Sequence, residues 1–187
     1  MNKLVINHTW TLFLDRDGVI NRRIPGTYIN SIDDFEFLPG VLKAVADFSK
    51  MFKHLIIVTN QQGIGKGILT TDELESVHDY MLSEISKSGG CIDDVYYCGD
   101  LARQSGNCRK PSPVMAMRAR ADHHDIDFSN SLMVGDSISD VAFGQNLGMK
   151  TILVGEQLGY PDPDGRWEPN FILEDLKDVT TLISSPD

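Results

Sequence analysis

Two aspartates, Asp15 and Asp17, stand in the segment Phe13-Leu14-Asp15-Arg16-Asp17-Gly18, just past a short apolar run from Trp10 to Leu14. That run predicts a strand, and ligands of open parallel α/β sheets bind outside the carboxyl ends of the strands. A spacing of two puts both carboxylates on one side of an extended backbone, and Gly18 allows the chain to turn sharply. One carboxylate is then placed to attack while the other exchanges protons. Taken alone, Asp-Arg-Asp-Gly reads equally as a solvated turn, because Asp and Gly favour turns for their own backbone reasons. Later segments tilt the balance. Ile56-Ile57-Val58 runs into Thr59-Asn60, and Leu132-Met133-Val134 runs into Gly135-Asp136. Lys110, in Cys108-Arg109-Lys110-Pro111, adds a cation.

The elements that must position these residues follow a βαβ rhythm. Apolar runs at Trp10 to Leu14, Leu55 to Thr59, Val95 to Cys98, Ser131 to Val134, Thr151 to Val154 and Phe171 to Leu173 alternate with longer segments of helical period. This pattern predicts an α/β fold, a three-layer doubly wound parallel sheet covered by helices. Helices are expected from Val41 to Phe48, from Leu74 to Ile85, from Pro113 to about His123, and from Val141 to Leu147. Thr70 and Glu73 have capping-box spacing at the start of the second. The Gly18 to Leu38 segment is long for a βα loop, whose usual length is about 2–6 residues, and looks like a short hairpin with a functional role. No repeat or linker divides residues 1–187, so a single domain is expected, with no cap domain.

Composition bounds the function. With 41% hydrophobic and 24% charged residues and no long apolar run, a membrane protein is excluded as an expectation. The first residues lack the apolar stretch of a secretory signal, so a cytoplasmic location is the default. A net charge of -10 disfavours nucleic acid as a partner, because such binding rests on Lys and Arg neutralising phosphates. A small phosphorylated metabolite stays compatible, since local cations and a metal ion reverse the field inside a cleft. A monomer is expected. Three cysteines, Cys91, Cys98 and Cys108, are an odd number in a chain of this size, which predicts reduced thiols rather than bridges. Gly63-Ile64-Gly65-Lys66-Gly67 is not a phosphate-binding P-loop, which would need a glycine at position 60.

Together, Asp15-Arg16-Asp17-Gly18, Thr59, Lys110 and Gly135-Asp136-Ser137-Ile138-Ser139-Asp140 resemble the four motifs of the haloacid-dehalogenase superfamily of phosphohydrolases. The phrases Asp34-Phe35-Glu36-Phe37, Val58-Thr59-Asn60-Gln61-Gln62-Gly63-Ile64 and Cys108-Arg109-Lys110-Pro111 resemble its capless branch of heptose-bisphosphate and histidinol-phosphate phosphatases. The resemblance implies that Asp15 is a nucleophile forming a phosphoaspartyl intermediate and that Asp17 is the acid/base. It implies that Asp15, the backbone carbonyl of Asp17, and Asp136 hold Mg²⁺, a hard ion that prefers oxygen. Thr59 and Lys110 would complete the catalytic set, with Asn21, Asn60 and Arg109 recognising substrate. Asp140 reads either as support for the metal site or as a helix cap, because Ser137-xx-Asp140 also fits a capping box.

The chain departs from that branch in two places. Relatives with a structural zinc carry Cys-x-His and Cys-x-Cys before the Arg-Lys-Pro phrase. This chain has Cys98-Gly99-Asp100 and Gly106-Asn107-Cys108, two thiols where structural zinc takes four ligands, so no zinc is expected. The loop between is then held by packing and hydrogen bonds, or stays mobile. Where the branch commonly has lysine after Gly-Asp, Ser137 stands here, and Arg22, Arg23 or Lys66 are candidates to replace the lost cation. The implied activity is removal of the 7-phosphate from a heptose 1,7-bisphosphate. The alternatives are histidinol-phosphate hydrolysis, or a non-enzymatic module switched by aspartyl phosphorylation.

Overall fold

The computed structural model describes residues 3–184. Strand β1 (Leu4–Val5) is followed by β2 (Thr11–Leu14), α1 (Val41–Met51), β3 (His54–Asn60), α2 (Thr71–Lys87), β4 (Asp94–Cys98), α3 (Val114–Asp122), β5 (Ser131–Ser137), α4 (Ile138–Asn146), β6 (Lys150–Leu158), β7 (Phe171–Ile172), α5 (Leu176–Leu182) and β8 (Ile183–Ser184). Six strands form one parallel sheet in the order β4-β3-β2-β5-β6-β7. The chain winds outward from β2 to β4 and then returns to lay β5 against the other side of β2. The β2–β5 seam is therefore the switch point at which a crevice opens.

Strand alternation makes the layers. Leu12, Leu14, Leu55, Ile57, Leu132 and Val134 point to one face, where Val45 and Phe48 of α1, Val77 and Met81 of α2, and Val179 of α5 cover them. Phe13, Ile56, Val58 and Met133 point to the other, under Met115, Ala116 and Ala119 of α3 and Phe143 of α4. Both faces of the central strands are apolar because both are buried, as a doubly covered parallel sheet requires. No helix among the described residues is long and apolar enough to cross a membrane.

The expected strands all form, and β5 and β6 continue well past the carboxyl ends of their apolar runs, to Ser137 and Leu158. Pairing of β5 with β6 jumps from Gly135–Leu153 to Ser137–Leu158, an irregularity that carries both strands past the end of the regular register. Helix α4 begins at Ile138 rather than Val141, since Ser137 caps it and Asp140 Oδ2 accepts from the Ser137 backbone N–H (3.1 Å). The Thr70–Glu73 capping box at α2 forms as read. The segment after β2 folds back as a short hairpin, with Arg22 N–H donating to Glu36 O (2.8 Å) and Leu38 N–H to Ile20 O (3.0 Å).

One expectation is corrected here. Cys98 and Cys108 are joined by a disulfide, and Cys91 is the free thiol. Cysteine count and chain size argued for reduced thiols, whereas the fold brings the end of β4 beside the segment leading to Arg109. The bridge, with Asp100 Oδ2 accepting from Cys108 N–H (3.0 Å), closes the loop between them.

Candidate active site

Asp15 follows the last residue of β2, and its backbone N–H still donates to Val134 O of β5 (2.9 Å), which fixes it at the seam. Its Oδ1 accepts from Arg16 N–H (2.8 Å) and lies 2.8 Å from Lys110 Nζ. Burial pushes the Asp15 carboxyl up to about 6, with Lys110 opposing and Asp140 and Asp17 assisting. Lys110 Nζ also stands 2.6 Å from Asp140 Oδ1 and donates to Val58 O (2.7 Å), so all three ammonium hydrogens are directed. Burial works to lower the Lys110 pKa, but Asp140 and Asp15 outweigh it and hold the ammonium above its usual value.

Asp17 sits in a fork made by its own neighbour. Arg16, with no exposed surface, donates from Nη2 to both Asp17 oxygens (2.9 and 3.0 Å) and from Nη1 to His78 Nε2 (3.0 Å). Asn21 Nδ2 adds a bond to Oδ1 (3.0 Å) and Gln61 Nε2 one to Oδ2 (2.8 Å). Burial favours the protonated acid, yet Arg16, Asn21 and Gln61 prevail and hold Asp17 below the usual carboxylate range. Arg16, Gln61 and His78 had no role in the sequence reading. The signal available was an arginine between two aspartates, where an unpaired buried cation is not tolerated.

Asp136 is fully buried at the end of β5, and burial, then the Asp15 charge, push it up to about 7 against the opposing pull of Arg23. Carboxylate oxygens of Asp15, Asp136 and Asp140 lie within 4.8 Å of one another. Gly18 borders this cluster at φ +90°, and a Cβ there would fall 1.9 Å from Asp136 Oδ2. The donors are hard oxygens gathered where buried negative charges repel, which suits Mg²⁺ or another hard divalent ion. Asp140 caps α4 through Ser137 and pairs with Lys110.

Asp15, Asp17, Thr59, Asn60, Arg109 and Lys110 all border one cleft of ≈ 320 Å³, together with Arg23, Tyr28 and Ser137. Thr59 Oγ1 accepts from Gln61 Nε2 (2.8 Å), which leaves its hydroxyl hydrogen for the cleft. Arg109 keeps a buried Nη1 without a partner. Asn60 borders the cleft but spends its amide on Lys110, accepting from Lys110 N–H (2.9 Å) and donating to Lys110 O (3.4 Å). Asn21 is wholly buried, pairs through its backbone with Asp17 and Phe37, and donates from Nδ2 to Asp17 Oδ1 (3.0 Å) and to Arg22 O (3.0 Å).

A family model for HAD-hydrolase-like proteins matches residues 107–179. The D-glycero-beta-D-manno-heptose-1,7-bisphosphate 7-phosphatase of Escherichia coli (strain K12) is 36% identical over 182 residues, covering 92% of each chain. The D-glycero-alpha-D-manno-heptose-1,7-bisphosphate 7-phosphatase of Campylobacter jejuni is 41% identical over 150 residues, 80% of this chain and 84% of that one. Among solved structures, the D,D-heptose 1,7-bisphosphate phosphatase from B. bronchiseptica, complexed with magnesium and phosphate, superposes with a TM-score of 0.81 at 31% identity. The match covers 91% of this chain and 96% of that one. The carboxylate seam and cleft thus occur on a fold and sequence shared with these enzymes, and the chain belongs to the haloacid-dehalogenase-like phosphatases, in the family of the heptose-1,7-bisphosphate 7-phosphatases.

Proposed function

We propose that the chain hydrolyses the 7-phosphate of D-glycero-D-manno-heptose 1,7-bisphosphate, with Asp15 as nucleophile and a divalent cation, Mg²⁺, as cofactor. The observation that carries the chemistry is Lys110 Nζ held 2.8 Å from Asp15 Oδ1 at the head of the β2–β5 seam, and the similarity to the heptose-1,7-bisphosphate 7-phosphatases supports the substrate. Both bonds to Asp15 fall on Oδ1, which leaves Oδ2 to attack phosphorus. The P–O bond to the sugar breaks, Asp17 gives a proton to the departing alkoxide, and Asp15 carries the phosphoryl group. Water then attacks that phosphorus, Asp17 takes its proton, and phosphate leaves with Asp15 restored.

Asp17 needs a proton for the first step, and the Arg16 fork holds it ionised. It therefore acts after rotating out of the fork into the cleft, where burial favours the acid form. Thr59 and Arg109 meet the phosphoryl oxygens, and Lys110 orients Asp15 while countering charge. Mg²⁺ held by Asp15, the Asp17 carbonyl and Asp136 would supply neutralisation of the phosphoryl charge. Asn60 acts by holding the Lys110 backbone. Two sulfurs tied in a disulfide support a site loop without structural zinc.

The test is kcat/KM on both anomers of heptose 1,7-bisphosphate and on histidinol phosphate. Preference for a heptose bisphosphate is expected, and a much better value for histidinol phosphate would sink the substrate assignment. With an aryl phosphate, whose leaving group needs little acid assistance, Asp17→Asn should give a burst and a trapped phosphoenzyme. Asp15→Asn should give neither. Full turnover in Asp15→Asn would refute the nucleophile.

A further inference from the structure

Arg23 occupies the oxygens that the proposed function gives to the metal. Its Nε donates to Asp136 Oδ2 (3.0 Å), and Nη2 donates to Asp136 Oδ1 (2.8 Å) and to the Asp17 backbone carbonyl (2.8 Å). Asp136 has no exposed side-chain surface, whereas the Arg23 side chain keeps 34% of its own. A guanidinium seated on both Asp136 oxygens and on the Asp17 carbonyl takes the space in which a divalent ion would meet those same oxygens, so the two cations compete for it.

Leaving Asp136 does not take Arg23 out of the site. Its backbone enters from the hairpin after β2, anchored one residue earlier by Arg22 N–H to Glu36 O (2.8 Å). The side chain borders the cleft shared by Arg109, Lys110 and Ser137, and also the hollows on either side, toward Tyr28 and toward Gly155. Ser137, next to Asp136, brings no cation to that wall. A planar guanidinium pairs with phosphate bidentately and is suited to meet an anion there from the opposite side.

We propose that Arg23 is an exchangeable counter-cation and a specificity-determining residue: it neutralises Asp136 until a divalent cation takes those oxygens, and is thereby released to bind the substrate's phosphate. Each ligand then favours the other, because phosphate draws Arg23 away from Asp136 and the metal frees Arg23 for phosphate. The proposal rests on the metal assignment made under the proposed function.

The test measures Mn²⁺ binding by calorimetry, and separately the binding of inorganic phosphate to Mn²⁺-saturated protein, in the full chain and its variants. Arg23→Gln should tighten Mn²⁺ binding roughly fivefold or more and weaken phosphate binding by a similar factor. Arg23→Lys, which keeps the charge but not the fork, should move both in the same directions by less, and its ordering decides the matter if Arg23→Gln does not fold. Arg22→Gln removes an equal charge from a pair with Glu36 outside the cluster and should change neither. Unchanged or weaker Mn²⁺ binding in Arg23→Gln, unchanged phosphate binding, or equal tightening in Arg22→Gln overturns the proposal. Asp136→Asn separates the foundation: wild-type Mn²⁺ affinity in that variant defeats the metal assignment itself. Loss of Mn²⁺ there, with no effect of Arg23→Gln, defeats this proposal alone.

Discussion

Lys110 Nζ lies 2.6 Å from Asp140 Oδ1, and each of the two side chains has 1% of its surface exposed. The pair ties the start of α4 to the segment that follows the Cys98–Cys108 bridge, and it aims the same ammonium at Asp15.

Asp140→Asn separates this ion pair from the helix cap. The amide oxygen still accepts from Ser137 N–H, while the charge is lost. Breaking a buried pair costs about 3–5 kcal/mol when the survivor is left alone; Asp15 still faces Lys110, so a loss of about 2 kcal/mol is expected in urea unfolding. A side chain that orients an active-site group also affects rate, and kcat should drop by about 10–100-fold. Unaltered kcat with reduced stability would restrict Asp140 to a structural part.

Gly18→Ala addresses the approach of the loop to Asp136. The backbone at φ +90° disfavours a side chain, and the new methyl meets Asp136 Oδ2 at 1.9 Å. Strain and overpacking together should cost about 2–4 kcal/mol in thermal unfolding. Displacing Asp136 should also raise the Mg²⁺ concentration needed for half-maximal activity. The same Mg²⁺ requirement as the parent chain would show that Asp136 does not need this contact.

His78 supplies a pH dependence. An arginine only donates, so His78 Nε2 accepts from Arg16 and the neutral ring carries its proton on Nδ1. Burial first, and the Arg16 charge second, push His78 down to about 3, against the opposing Asp17; the Tyr97 ring, 6.1 Å away, is its aromatic neighbour. Between about 6.5 and 3 the unfolded chain binds a proton that the folded chain refuses, so stability falls as pH falls through that window. The loss from pH 7 to pH 5 is on the order of 2 kcal/mol from this group. His78→Gln keeps an acceptor for Arg16 without titrating, and urea unfolding at pH 7, 6 and 5 should show a correspondingly flatter profile. An identical slope in both proteins would remove His78 as the cause.

Much of the architecture was legible because local pattern and burial agree. Leu12, Phe13 and Leu14 are apolar on both faces, which marks a doubly covered strand, and the Thr70–Glu73 spacing marked where α2 begins. The placement of Asp15, Thr59 and Asp136 at one edge of the sheet was legible for the same reason, since polar residues at the carboxyl ends of neighbouring parallel strands gather there.

What local pattern could not supply were the partners. Nothing local marks Asn21 as a partner of Asp17, yet backbone pairing with Asp17 and Phe37 draws it inward, where Nδ2 donates to Asp17 Oδ1. The cysteine count pointed to free thiols, while the return of the chain after β4 sets Cys98 against Cys108. By itself the sequence determined the two carboxylates, Asp15 and Asp17, two residues apart at the end of a strand, and the order of elements that carries them. Tertiary structure alone decided how each is charged. Lys110 and Asp140 reach Asp15 from distant segments, while Asn21, Gln61 and an Arg16 fork braced on His78 close around Asp17. The protonation of a buried carboxylate depends on desolvation and on charges within a few ångströms, and in this chain those groups are scattered from Arg16 to Asp140.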